Sequence, residues 1–145
     1  DDVPVVLKKH GVEEHFHWVN QRPGKPLWFG RKPKGPLVFG LPGNPLSVLT
    51  CFHRYVTGAI LGLAGATPAQ NPTVSVMEPV EVHHPTTIFL PVTVLSGADA
   101  LLEAMPQPPK NSGDFAAVIG SDGFVQLPSA RQRLPAGFKA TFFPW

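Results

Sequence analysis

Cysteine is almost missing from this chain. The single thiol, Cys51, excludes an internal disulfide, and its place in a helical pattern reads as a small buried hydrophobe rather than a nucleophile. Charge is sparse as well: 15% of residues are Asp, Glu, Lys or Arg, and the formal net charge is +2, too little to argue for nucleic acid. No apolar run is long enough to cross a bilayer and mean hydropathy is near zero, so a soluble globular protein with no membrane partner is expected. No secretory or transit signal opens the sequence, and a reducing cytoplasmic compartment fits. A Ser-His-Asp arrangement, a Walker-type phosphate loop and a repeat of fixed period are all missing.

Proline and glycine are plentiful instead. Eighteen prolines and 14 glycines imply short elements joined by tight turns. The basic excess is uneven, with eight Lys/Arg against four Asp/Glu in residues 1–65 and four against six in 66–145. Residues 3–10 read as the end of a helix stopped by Gly11, and 15–19 as a short strand. Residues 28–30 and 37–39 are apolar strands flanking the basic turn Arg31-Lys-Pro-Lys34, which predicts a hairpin. A helix follows from Pro45 to Leu63, with Val48, Leu49, Phe52, Tyr55, Val56, Ile60 and Leu63 on one apolar stripe; Gly58 is expected to mark a close approach. Residues 66–72 form a Pro-containing linker with no apolar pattern. Beyond it the period shifts towards two, and strands are expected at 73–82, 88–95, 101–105, 124–127 and 138–143, with one short helix near 114–119. The apolar ending, Phe142-Phe-Pro-Trp145, is expected to be docked. The reading is an α/β unit over 1–65, the C-terminal end of a larger α/β domain with a parallel sheet, then a linker over 66–72 and a small β-barrel over 73–145.

Chemistry concentrates at residues 37–47. A buried strand, a Pro42-Gly43 turn and a helix start capped by Asn44, with Pro45 at the first helical position, place backbone N–H groups and the positive helix end where an oxyanion can bind. A plain strand-to-helix connection explains the same residues equally well on physics alone.

Two motifs taken together carry a resemblance. Arg22-Pro-Gly-Lys-Pro-Leu-Trp-Phe-Gly30 followed by Phe39-Gly-Leu-Pro-Gly-Asn-Pro-Leu-Ser47 is similar to the paired signature of the molybdopterin molybdenumtransferases, the MoeA family that includes the C-terminal domain of gephyrin. Phe89-Leu-Pro-Val92, Asn111-Ser-Gly-Asp114, Gly120-Ser-Asp-Gly-Phe124 and Pro135-Ala-Gly137 extend it through the second half. The resemblance implies the end of a molybdopterin-binding-type α/β domain followed by a C-terminal β-barrel. It also implies an enzyme that takes adenylylated molybdopterin and molybdate, with a divalent cation such as Mg²⁺, and releases molybdenum cofactor and AMP from a homodimer. The substrate-binding positions it implies are Arg22, Lys25, Pro42, Gly43, Asn44, Pro45, Ser47 and Ser112. Arg22 would grip phosphate or molybdate bidentately, and the Ser112 hydroxyl would donate to an oxyanion. No catalytic residue and no metal ligand falls within these 145 residues, since the family's metal-holding acids come from earlier sequence. The chain alone is therefore expected to be inactive.

Two positions depart from the family pattern. Trp18 stands where Lys or Arg is common, and Thr86 aligns with a family arginine; losing two cations should weaken an oxyanion site. His10, His15 and His17 suggest Zn²⁺ only weakly, and a half-exposed edge strand is the plainer reading. His83-His84 reads as a solvated turn, with compensation for the missing cations by a protonated His83 or His84 as the weaker alternative, Asp114 as a helix cap, and Arg31 to Lys34 as a solvated hairpin tip. The alternative to an enzyme is a non-catalytic interaction or dimerisation module derived from the same family, which Trp18 and Thr86 favour.

Overall fold

The computed structural model describes residues 2–67, 69–97, 101–111 and 114–145. A short helix, α1 (Val3–Lys9), leads into β1 (Glu13–His17), and β1 pairs antiparallel with β3 (Trp28–Arg31), which pairs antiparallel with β4 (Leu37–Gly40). The predicted hairpin is β3–β4, and the sheet is antiparallel rather than parallel. It closes over Trp28, which is fully buried and donates from Nε1 to Glu14 Oε2 at 2.8 Å. Gly30 is required here, because a Cβ would lie 2.4 Å from the indole ring. The contact to Trp28, and then the ion pair with Lys8 at 3.0 Å, hold the Glu14 carboxyl below its ordinary range.

Residues Pro45–Leu63 form one continuous helix in three parts: α2 (Pro45–Cys51), a π-helical turn (Phe52–Val56) and α3 (Thr57–Leu63). The start is capped as its sequence implies, with Asn44 Oδ1 accepting from the Ser47 N–H. The single apolar stripe does not survive. The wider π turn shifts the register, so α2 buries Leu46, Thr50 and Cys51 whereas α3 buries nothing and leaves Leu63 74% exposed. Gly58 meets no neighbour; a Cβ there would enter open space. By length and composition this helix is apolar enough to cross a membrane, contrary to the expectation that no segment is.

The second half of the chain is built around β7 (Thr87–Ser96), the longest strand. With β8 (Leu102–Pro106), β5 (Thr73–Val76), β11 (Lys139–Pro144) and β9 (Gly123–Leu127) it closes a five-stranded barrel, because β9 returns to pair with β7. Alternation sorts the side chains between two cores. Leu90, Val92, Val125 and Phe142 fill the main cluster with Val74 and Val76, while Phe89, Phe124 and Phe143 form a second cluster with Trp145 against them. The helix meets this aromatic group: the Arg54 guanidinium lies over the Phe143 ring at 5.0 Å, and His53 meets Trp145 edge-on at 5.5 Å. The apolar terminus is docked, with Trp145 Nε1 donating to Ser121 Oγ at 2.9 Å. The segment expected as one strand over 73–82 is two, β5 and β6 (Val80–Val82), the latter in a separate ribbon with β10 (Gln132–Leu134). The short helix is a 3₁₀ turn, Phe115–Val118.

A strand pairing also ties the front of the chain to the barrel sheet. The two-residue strand β2 (Gln21–Arg22) pairs in parallel with Thr87 and Ile88 at the start of β7.

Candidate anion-binding cleft

The loop after β2 is held by a buried amide. Gln21 is 3% exposed; its Nε2 donates to Pro23 O at 3.0 Å and reaches Cys51 Sγ at 3.7 Å, while its Oε1 accepts from the Tyr55 hydroxyl. Cys51 Sγ in turn points at Gly24 O, 3.7 Å away. Gly24 sits at φ +93°, and a Cβ would fall 2.5 Å from Cys51 Sγ. The Pro-Gly-Lys-Pro loop is thus pressed onto the helix with no room for a side chain at its glycine. Burial pushes the Cys51 thiol up to about 11, more than the contact with Gln21 lowers it, so Cys51 behaves as the inert buried thiol its position implied.

This packing leaves a cleft of about 510 Å³ between the loop, the first turn of α2 and two barrel loops, within the size range of organic ligand sites. Arg22, Lys25 and Ser47 of the expected positions line it. Pro42, Gly43, Asn44 and Pro45 do not; the turn they form shapes the helix start, and Leu46 and Ser47 are the residues it delivers to the wall. Ser112 lies outside the described residues. The capped end is also largely self-satisfied, because Pro45 has no N–H, Ser47 gives its N–H to Asn44 Oδ1, and Val48 gives its own to Asn44 O. The cations, rather than the helix end, carry the positive potential of the cleft.

Three further residues complete it. His84, Thr86 and Lys110 line the opposite wall, with Asn111 beside them. Arg22 Nη1 lies 2.9 Å from His84 Nε2, and because a guanidinium can only donate, the imidazole is the acceptor in this contact. His84 therefore belongs to the cleft rather than to a merely solvated turn. Lys110 is held by its neighbour, for its backbone N–H donates to Asp114 Oδ2 at 2.9 Å. That bond is what Asp114 does, and the 3₁₀ turn receives no side-chain cap from it. The Thr86 hydroxyl is buried without a hydrogen-bond partner among the described residues. Trp18 does not line the cleft. It stacks on His17 at 4.8 Å, in a left-handed conformation at φ 73°.

Among the described residues no carboxylate lines the cleft, and among them no group of three or more His, Cys, Asp or Glu is placed to hold a metal ion. Arg22, Lys25 and Lys110, with no acid among the described lining residues, give the cleft a cationic wall. A mixed α/β front end hitched to a closed five-stranded barrel, with a cationic cleft at the junction, is the class of protein this chain defines.

Comparison with known proteins shows what the chain is similar to. Residues 1–62 match the family described as a probable molybdopterin binding domain. Over its whole length the chain is 37% identical to a molybdopterin molybdenumtransferase of Synechocystis sp., covering 35% of that protein. The molybdenum cofactor synthesis protein cinnamon of Drosophila melanogaster is 28% identical over 99% of the chain and 24% of its own length. A crystal structure of a molybdopterin biosynthesis MoeA protein from Pyrococcus horikosii superposes with a TM-score of 0.76 at 30% identity, covering 99% of this chain and 34% of that one. The chain is homologous to one portion of proteins named molybdopterin molybdenumtransferase, and it spans about a third of the length of the Synechocystis and Pyrococcus horikosii relatives.

Proposed function

We propose that this chain supplies the anion-binding half of a molybdenum-insertion site, acting in molybdenum cofactor biosynthesis. In the full reaction, molybdate enters adenylylated molybdopterin and AMP leaves. The observation that carries the reading is the placement of Arg22, Lys25 and Lys110 around one cleft with no carboxylate among its described lining. Arg22, already braced by His84, presents a planar fork to a phosphate or to molybdate, and the two lysines add point charges that bring the anionic partners together and oppose their mutual repulsion. Leu46, Pro23 and Pro26 add apolar surface to the lining of the cleft.

The divalent cation that the resemblance implies does not fit these residues, since the cleft offers it cations and neutral groups.

Titrating adenylylated molybdopterin into the chain and following its binding by fluorescence tests the reading. Arg22→Ala and Lys25→Ala are each expected to weaken binding about tenfold, the worth of one charge-assisted contact. Unchanged affinity in both variants removes them from the site.

A second reading rests on Val3, Val5 and Val6 of α1 and Ile60 and Leu63 of α3, which are all exposed. These apolar faces suit association with a second copy of the chain. Light scattering is expected to give a dimer that Leu63→Lys dissociates; a strict monomer rejects this reading and leaves the cleft unaffected.

A further inference from the structure

We propose that Arg54 anchors a second anion site, separate from the large cleft, that takes one small tetrahedral oxyanion such as free molybdate or sulfate. Arg54 stands in the π turn, where a widened backbone register commonly sets a functional side chain. Its guanidinium is clamped between two rings, 5.1 Å from the Tyr55 centroid and 5.0 Å from that of Phe143. Its Nε is buried and finds no hydrogen-bond acceptor among the described residues. A fixed, half-buried cation with an unmet donor is costly unless something negative meets it.

The space beside it has the right chemistry. A recess of about 160 Å³ opens next to Arg54, walled by Asn20, Tyr55, Thr87 and Gln126 among others, and no acid lines it among the described residues. The Tyr55 hydroxyl is already given to Gln21 Oε1 and the Asn20 amide to Pro85 O, so the Thr87 hydroxyl and the Gln126 amide are the groups there that can donate to an oxyanion that the guanidinium neutralises. Size selects the ligand: the recess falls well below the roughly 300 Å³ at which organic ligand sites begin, and it equals the liquid volume of roughly five waters, enough for one tetrahedral ion with part of its hydration. Gln21 lines both this recess and the cleft, so the two sites share a wall. The assignment does not depend on the function proposed for the cleft.

The test is made with the cleft disabled. In the Arg22→Ala/Lys25→Ala chain, sodium molybdate and, separately, sodium sulfate are titrated by calorimetry, and the Arg54 Nε–H resonance is followed by NMR. One site per chain is expected for at least one of the anions, together with a shift of that resonance, and the anion bound more tightly identifies the occupant. Adding Arg54→Gln should weaken binding by about tenfold or more. Thr87→Val keeps the guanidinium clamp and should weaken binding severalfold, which decides the matter if Arg54→Gln fails to fold. Absence of binding by both anions, a silent Nε–H resonance, or full affinity in a folded Arg54→Gln chain overturns the proposal; where Arg54→Gln does not fold, full affinity in Thr87→Val does so.

Discussion

Gly24 and Cys51 share a space that fits only one of them with a side chain. Because a Cβ at Gly24 would lie 2.5 Å from Cys51 Sγ and 2.7 Å from Gln21 Nε2, Gly24→Ala is expected to destabilise the chain by about 1–3 kcal/mol in urea melts, and Cys51→Ala in the same chain should recover part of that loss. The buried thiol also sets a pH dependence. Its folded value, about 11, lies above the ordinary 9.0, so the fold favours the protonated form. That contribution is intact below pH 9 and is lost as pH rises from 9 to 11. Burial moves the Tyr55 hydroxyl upward in the same way. Denaturant melts through this window should therefore fall steadily in the parent and less steeply in Cys51→Ala, with Tyr55 accounting for part of the slope that remains. The buried role of Cys51 was legible from one thiol in a helical pattern. Its grip on the loop was not, because Gln21 and Gly24 carry no spacing signal that links them to a helix some 30 residues on.

Strand and helix types followed from local pattern wherever an element buries its own side chains. The β3–β4 hairpin, the capped start of α2 and the strands of the barrel are of this kind, since alternation or a three- and four-residue period reports the face that is covered. Two-residue β2 and three-residue β10 lie beyond such reading; each exists only because a partner strand is there to pair with it. The helix beyond Phe52 misleads for another reason: its apolar period continues in sequence although the π turn has rotated α3 away from the barrel. Trp28 supplies a prediction at this scale. Glu14 is held ionised first by the indole N–H and then by Lys8, so its lowered value stabilises the fold above the ordinary 4.5 and the benefit is lost as pH falls through the folded value. Trp28→Phe should flatten thermal melting against pH on the acid side, while at neutral pH it costs the Trp28–Glu14 bond and some packing.

In the whole molecule, stability is distributed along with burial. Hydrogen exchange is expected to be slowest in β7, β9 and β11, which form the closed seam of the barrel and both aromatic and aliphatic cores, and fastest in α1 and α3, where no residue is buried. Equal protection in α3 and β9 would show that the helix is covered in solution. The fold class was legible because a change of period from four to two marks a change from helix to barrel. The cleft was half legible: Arg22, Lys25 and Ser47 stand in motifs, but His84 and Lys110 reach it from loops 62 and 88 positions beyond Arg22, and only strand pairing tells which loops will face one another.

The short hitch between β2 and β7 has a consequence for anything that settles at the junction. One jaw of the opening grows from the front segment and the other from the barrel, and two ladder positions keep them aligned. A guest touching both jaws acts as a splint across the weakest stitch in the sheet, so loading the opening should make Gln21 and Arg22 the positions whose backbone quiets most.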